Sequence, residues 1–324
     1  MPKYGPASAF LIVGGRVIST EVYNLDTSLE SILEECRGLG ESMERFFPTG
    51  VGRVTLDAKG GIYNDTTFGL WEALLGNTNS LQIVAWGYGG MTPGQQMLMA
   101  NGVYGAQVNR ISERAGLTKM NAKFTLSGAV GEGQIVSDLT SRGTASNTQA
   151  TPADRHAQEN VPAIPITNAT VAASTVITSP NHGLVSTDVI WITGSTTTPT
   201  IDGERIVTVS DGNTFTVPVN VTSNGGAQAN CYFQKMNSAG AIFDVHVPAL
   251  VLGGYTNISI QPMHSADNGA WVSVGSAMTF TAAGTAQRQT IAVGTNVRRY
   301  TAMAWAWTGA GSGMSAQVLV GVSR

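Results

Sequence analysis

The 324-residue sequence has few cysteines, few charged residues and no long apolar run. Its two cysteines, Cys36 and Cys231, cannot form a disulfide framework or a four-cysteine zinc site. Charged residues make up 12% of the chain, and the net charge of −3 gives no overall basic field for nucleic acid. No apolar run approaches the ~20 residues of a membrane-spanning helix, and the N-terminal residues lack the order of a signal peptide. We therefore expect a protein without a membrane span that is made and folded in a cytoplasm.

Apolar residues and glycines are plentiful instead. Hydrophobic residues make up 42% of the chain, which is enough for a folded core and argues against wholesale disorder. Residues 1–137 mix predicted strands with short helices, and residues 138–162 are typical of a polar linker. Residues 163–236 predict a small all-β module, because Asp-Gly turns separate β-branched runs. Residues 237–324 predict a C-terminal β-sandwich, and the whole chain is therefore predicted to be mainly β with one or two short helices.

Two segments of the first part carry helical signals. Thr27–Cys36 combines a capping box formed by Thr27 and Glu30 with apolar residues at helical spacing. Thr66–Leu75 has Asp65 as a cap and an apolar side. Both segments are therefore predicted to be helices.

A long hairpin is predicted after the helices. Its strands cover Gln96–Glu113 and Leu117–Gln134, joined at Arg114-Ala115-Gly116. From Met120 to Ser127 apolar and polar residues alternate, which predicts one buried and one polar face.

No catalytic constellation is visible, so we expect neither enzymatic activity nor a cofactor. Asp244 and His246 alternate on one predicted strand and are conceivable as metal ligands, but a solvated strand face is the simpler interpretation. His182 lies in a glycine turn, where a polar residue that stabilises the turn is expected. A glycan-active enzyme would need two carboxylates about 5–10 Å apart, and Asp244 and Asp267 are unpaired candidates only.

Acidic residues are concentrated between Glu21 and Glu44, where seven acids accompany one base, Arg37. A solvated helix face would account for them, and so would a surface that repels a polyanion or pairs with a neighbouring subunit. The candidates for such a surface are Glu30, Glu34, Glu35, Glu41 and Glu44.

Three tryptophans of the last part, Trp271, Trp305 and Trp307, are candidates for stacking on sugar rings. Trp305 and Trp307 are two residues apart on one predicted strand, so both face the same side of the sheet. A buried core face is the alternative interpretation of this pair.

Several stretches resemble the tail tube proteins of long-tailed, siphovirus-like bacteriophages. They are Val22-Tyr23-Asn24-Leu25-Asp26, Glu44-Arg45-Phe46-Phe47-Pro48-Thr49-Gly50, Val54-Thr55-Leu56-Asp57-Ala58-Lys59-Gly60-Gly61-Ile62-Tyr63-Asn64-Asp65, Trp86-Gly87-Tyr88-Gly89 and Phe124-Thr125-Leu126-Ser127-Gly128. The resemblance implies a tube-forming fold of two β-sheets with a flanking helix. It also implies a virion protein whose hexameric rings stack into the tail tube, contact other tail proteins and conduct DNA without specific binding.

The two later parts resemble β domains of phage structural proteins. The stretches are Asn181-His182-Gly183-Leu184, Asp188-Val189-Ile190-Trp191-Ile192 and His264-Ser265-Ala266-Asp267-Asn268-Gly269-Ala270-Trp271. The resemblance implies that these parts decorate the outside of the tube, with host-surface glycans as candidate partners. The alternative is a carbohydrate-binding or adhesion module of a fibre or head protein, which predicts exposed tryptophans and discrete small oligomers.

Overall fold

The chain folds almost entirely into β-strands. The computed structural model describes residues 9–18, 24–30, 33–36, 45–48, 53–62, 68, 69, 72, 82–111, 118–126, 130–143, 146–148, 152–154, 164–226, 228–235, 240–265, 268–295 and 297–323. Its first ten strands are β1 (Phe10–Val13), β2 (Arg16–Val17), β3 (Asn24–Glu30), β4 (Leu33–Cys36), β5 (Arg45–Pro48), β6 (Arg53–Ile62), β7 (Gln82–Gly87), β8 (Gln96–Ile111), β9 (Lys119–Leu126) and β10 (Val130–Ser137). The prediction of a mainly β protein is confirmed.

The later strands follow in three groups. Short strands come first: β11 (Ser141–Arg142), β12 (Ser146–Thr148) and β13 (Ala153–Asp154). The small module contains β14 (Ile164–Pro165), β15 (Asn168–Ala169), β16 (Thr175–Thr178), β17 (Val189–Thr193), β18 (Gly203–Ile206), β19 (Thr208–Val209), β20 (Thr214–Val217) and β21 (Tyr232–Lys235). The last strands are β22 (Ala241–Val251), β23 (Asn257–Ser265), β24 (Val272–Ser273), β25 (Met278–Phe280), β26 (Thr285–Ile291), β27 (Tyr300–Thr308) and β28 (Ser315–Ser323).

The predicted helix over Thr27–Cys36 is wrong, because the segment forms β3 and β4. β3 pairs with β6 along its whole length, from Asn24 opposite Lys59 to Glu30 opposite Arg53, and β4 pairs with β5. Leu25, Thr27 and Leu29 share one side of a strand, so the helical pattern competes with a strand pattern. Because β6 pairs with β3 along its whole length, these residues form a strand of the sheet and not a helix.

The second predicted helix, Thr66–Leu75, is only partly covered by the described residues. Phe68, Gly69 and Glu72 are helical, and its other residues lie outside the described part of the chain. No helix among the described residues is both long enough and apolar enough to cross a membrane.

One sheet connects the first and last parts of the chain. Eight of its strands run in the order β2-β1-β7-β8-β10-β28-β22-β26. β28 lies between β10 and β22 and is antiparallel to both. Of the strands within 138–162, β11 also pairs with β28, whereas β12 and β13 pair with β27. The boundaries at 137, 162 and 236 remain predictions about independently folding units.

The two ends of this row approach each other, so the sheet curls into a nearly closed barrel. The turn between β1 and β2 places Gly15 against the backbone of Thr285, the first residue of β26. One apolar cluster lies on the concave face: Phe10, Ile12, Ala85, Met97, Met99, Ile135 and Leu319. The barrel interior is therefore a packed core.

Two further layers cover the outside of the barrel. On one side, β9, β6 and β3 continue from β8 and cover β1 and β7 through a core that contains Trp86 and Phe124. On the other side, the sheet that contains β12, β27, β23 and β24 packs on β10, β28, β22 and β26. This second contact buries Phe243, Trp305 and Val320, and it forms the predicted C-terminal sandwich.

The small module has a core of its own. Its sheets, β14-β21-β17-β18 and β15-β16-β20-β19, enclose Ile177, Phe215 and Phe233. The His182 ring packs edge-on against Phe215, donates from Nε2 to the Asp211 carbonyl at 2.9 Å and accepts the Leu184 N–H at Nδ1. The interpretation of His182 as a turn-stabilising residue is confirmed.

We expect Gly15→Ala to destabilise the protein more than Gly90→Ala. Both glycines have a positive φ, +83° and +87°, so each alanine carries a backbone penalty of about 1 kcal/mol. A Cβ at Gly90 meets nothing within 4 Å, whereas a Cβ at Gly15 overlaps Thr285. We expect this overlap to cost Gly15→Ala about 2 kcal/mol more than Gly90→Ala. The free energy of unfolding of each variant, measured in urea, gives the loss. If both variants lose the same free energy of unfolding, the close approach of Gly15 to Thr285 does not stabilise the barrel.

Candidate assembly surface

Four strands extend beyond the barrel as a separate antiparallel layer. The first half of β8 pairs with β10, and its second half, from Val103 to Ile111, pairs with β9. β9 then pairs with β6, and β6 with β3. The layer therefore has the order β8-β9-β6-β3, with every neighbour antiparallel.

Both outer strands of this layer have an edge without a partner among the described residues. β7 covers the other edge of β8 only as far as Val103, and no strand among the described residues pairs with that edge beyond it. β3 pairs with β6 alone. An open strand edge presents unpaired N–H and C=O groups and is a template for another strand.

The layer has one apolar and one polar face. Leu56 and Ala58 of β6, with Met120 and Phe124 of β9, are fully buried against the core that contains Trp86. The opposite face holds a groove of about 230 Å³. Its polar lining consists of Asp57, Lys59, Gln107, Asn109, Asn121 and Lys123. The alternation predicted for Met120 to Ser127 is confirmed within β9, where it divides the two faces.

The charges on the polar face are mixed. Lys123 lies directly opposite Asp57 in the pairing of β6 with β9. The Lys59 Nζ is 3.8 Å from the Asp57 Oδ2. The Asp57 carboxylate therefore lies near the Lys59 ammonium group and on a residue whose cross-strand neighbour is Lys123, and the rest of the groove is lined mainly by amides.

Of the predicted acidic surface, one residue lies in this layer. Glu30 ends β3 opposite Arg53, and Glu34 and Glu35 lie in β4 opposite Phe47 and Phe46. Glu41 and Glu44 lie outside the described residues. A role for these five acids in a lumen or between rings remains a prediction.

The candidate sugar-stacking pair is buried. Trp305 and Trp307 are 7% and 8% exposed and belong to the core of the sandwich. The two residues are two positions apart on β27, so their side chains lie on the same face of the sheet, and this face packs in the core. The Arg142 guanidinium packs over the Trp305 ring, 5.3 Å from its centre. Neither indole offers a face to a sugar, so the alternative interpretation, a buried core face, describes both residues. Trp271 is half-buried just before β24, and a binding role for it remains a prediction.

Asp244 and His246 lie inside the barrel, which corrects the expected solvated strand face. They alternate with Phe243 and Val245, which face the sandwich core, and both are 0% exposed. Arg288 of β26 donates to both Asp244 oxygens at 2.6 Å, from Nε and from Nη2. Burial raises the pKa of the Asp244 carboxyl, and the hydrogen bonds and charge of Arg288 oppose the rise.

Neither nitrogen of the His246 ring has a hydrogen-bond partner among the described residues. Burial, together with the charge of Arg288, lowers the pKa of His246 to about 3. Within the described ranges no three His, Cys, Asp or Glu residues are placed to hold a metal ion. Because Arg288 occupies the Asp244 carboxylate, the geometry does not support the candidate metal pair.

Comparison with known proteins gives weak similarities only. No protein-family model matches the sequence, and no curated protein matches it. The Dit protein of SPP1, described as a paradigm of the hub adsorption apparatus in phages infecting Gram-positive hosts, is 8% identical with a TM-score of 0.28, over 97% of this chain and 98% of that one. A chain of the extended PVC sheath–tube complex, an extracellular contractile injection system, is 13% identical with a TM-score of 0.29, over 41% of this chain and 90% of that one. Similarity this weak does not place the chain in a family.

Proposed function

We propose that this chain is a structural phage tail protein whose copies join edge to edge into rings that stack as a tube for DNA. The observation that carries the proposal is the β8-β9-β6-β3 layer, whose two outer strands each have an edge that no other described strand pairs with. The stretches that resemble tail tube proteins include most of β6 and the end of β9. The resemblance supplies the ring of six copies and the location in the virion.

Strand direction supports head-to-tail joining. Because every neighbour within the layer is antiparallel, β8 and β3 also run in opposite directions. The β3 edge of one copy can therefore accept the β8 edge of the next copy without a break in the antiparallel order. Head-to-tail contacts of this kind close into a ring when the rotation between copies allows it, and closure removes every open edge.

The two faces of the layer support an orientation for the ring. The apolar face is covered by the barrel of the same copy, whose bulk can lie only outside a closed ring. The groove with Asp57, Lys59 and Lys123 then faces the lumen. Firm DNA binding requires cations that neutralise phosphates. Here a carboxylate lies beside the two lysines, which suits passage better than binding.

The burial of Trp305 and Trp307 removes the main support for the alternative, a sugar-binding adhesion or decoration module. That alternative predicts discrete particles which never stack. Negative-stain electron microscopy of the purified protein over a concentration series separates the two functions. Rings or tubes are expected, and discrete particles at every concentration would overturn the proposed function.

We expect proline at one of two adjacent positions of β8 to abolish ring formation without unfolding the protein. Adjacent residues of an antiparallel strand direct their N–H groups to opposite neighbours. The N–H groups of Val108 and Asn109 therefore point to opposite sides of β8. Proline at one of the two positions removes a hydrogen bond to β9, and proline at the other removes an N–H donor from the outer edge. The first variant should lose about 3 kcal/mol of stability, and the second should unfold like the wild type.

Urea unfolding identifies the stable proline variant, and the same electron microscopy then tests its assembly. The unstable variant is the matched control, because it places the same residue in the same strand. If the stable variant forms rings at the wild-type concentration, the open edge of β8 is not the joining edge.

A further inference from the structure

The small module meets the C-terminal sandwich across a seam that does not belong to either core. Trp191 of β17 alternates with Ile190 and Ile192, which belong to the module core, so its indole lies on the module's outer face. It is nevertheless only 8% exposed. A tryptophan on an outer face that is hidden from water must be covered by another part of the chain.

The cover comes from the start of β27. The Arg299 guanidinium lies 5.8 Å from the centre of the Trp191 ring and 4.9 Å from that of Tyr300. Beside it, the Arg298 Nε lies 3.3 Å from the Glu204 Oε2 of β18. A cation–π contact and an ion pair thus connect the module to the sandwich.

Where the module contacts the sandwich, some buried polar atoms have no hydrogen-bond partner among the described residues. Within the described part of the chain, the Trp191 Nε1 and the Glu204 Oε2 are buried without a hydrogen bond, although the Arg298 charge is near that oxygen. Burial raises the pKa of the Glu204 carboxyl, and Arg298 opposes the rise. Docking therefore removes polar groups from water without replacing all their hydrogen bonds, which makes the contact weak.

We propose that this contact is releasable, so that the module detaches from the sandwich and stays folded. We call the contact the clasp. The module core and the sandwich core are separate clusters, so release exposes Trp191 and Tyr300 but opens neither core. The Glu204–Arg298 pair is partly exposed, with side chains 21% and 33% accessible. Salt screens such pairs, so salt shifts the module towards the released state. The inference does not depend on the proposed tail function.

Hydroxyl-radical footprinting with mass spectrometry tests the clasp, because it reports the solvent access of single side chains in the full-length protein. Trp307 is the internal control, since it is as buried as Trp191 but lies in the sandwich core. Between low salt and about 1 M salt, the oxidation rate of Trp191 should rise roughly threefold or more, and that of Trp307 should stay constant. Phe215, in the module core, should also stay protected.

Glu204→Gln should raise the oxidation of Trp191 at low salt to near its high-salt level. Glu132→Gln, which removes the same charge from an exposed site on β10, should leave it unchanged. The proposal is overturned if Trp191 stays as protected as Trp307 at every salt concentration and in Glu204→Gln. It is also overturned if Phe215 becomes exposed together with Trp191, since the module would then unfold rather than detach.

Discussion

Acidification from pH 6.5 to pH 3 is expected to lower the free energy of unfolding by about 5 kcal/mol, because the fold keeps His246 neutral. The histidine of the unfolded chain takes up a proton near pH 6.5, whereas in the fold burial lowers the pKa of His246 to about 3. Over this window the unfolded state binds more protons than the folded state does. The contribution is therefore complete above pH 6.5, declines as the pH falls, and is lost below about pH 3.

The variant His246→Phe isolates this effect. Its free energy of unfolding, measured in urea at intervals of pH, should change less between pH 6.5 and 3 than that of the wild type. Asp244 acts in the opposite direction at the acid end, because burial raises its pKa, but it is present in both proteins. Val245→Ala, on the same strand but facing the sandwich core, should lower stability equally at every pH. Parallel pH curves for wild type and His246→Phe would contradict the predicted protonation.

Loss of Arg288 is expected to be the most destabilising change among the ion pairs described. Arg288→Met leaves the Asp244 carboxylate fully buried without its bidentate partner. Breaking a buried pair in this way costs about 3–5 kcal/mol, because the remaining charge has neither water nor a counter-ion. Urea unfolding at neutral pH measures the loss.

The double variant Asp244→Leu with Arg288→Met provides the matched control. Since no charge is then left in the barrel, most of the lost stability should return. A second control is Lys235→Met, which breaks the 2.7 Å pair with Asp188 at a half-exposed lysine and should cost about 1 kcal/mol or less. If Arg288→Met costs no more than Lys235→Met, the Asp244–Arg288 pair does not hold the barrel strands together.

Local signals in the sequence predict the strands and turns well. Gly14 and Gly15, a pair typical of a turn, lie between β1 and β2, and both have positive φ. The long hairpin is observed as β8 paired with β9 and β10, which together cover the predicted second strand. The Asp211-Gly212 turn is also observed, with the Asp211 carboxylate accepting the Asn213 and Thr214 N–H groups. Each of these features depends on residues within one short window.

Features that depend on distant partners were not predictable in the same way. The strands around Asp244 and Arg288 both carry strand patterns, but nothing local indicates that the two residues lie opposite each other. Thr27–Cys36 has a helical pattern whose outcome is decided by β6, a strand further along the chain. Trp305 and Trp307 have the same spacing whether the shared face is buried or open, so only the packed sandwich distinguishes core from surface.

The candidate assembly layer was partly predictable. The sequence indicates that β9 has one polar face, but the open edges of β8 and β3 become visible only when the neighbours of each strand are known. The acidic surface of Glu30, Glu34, Glu35, Glu41 and Glu44 still rests on composition alone. Charge density along the sequence does not determine which way a strand turns its side chains.

The position of β28 has a consequence for synthesis on the ribosome. β28 fills the gap between β10 and β22, and it brings Val318 against Ser137, 181 positions earlier in the chain. During translation, β10 and β22 therefore emerge before the strand that joins them. The module, which is encoded between β10 and β22, can fold on its own core in the meantime. We therefore expect the nascent chain to carry a folded module beside an unfinished sheet with exposed apolar edges, a state in which chaperone binding competes with aggregation.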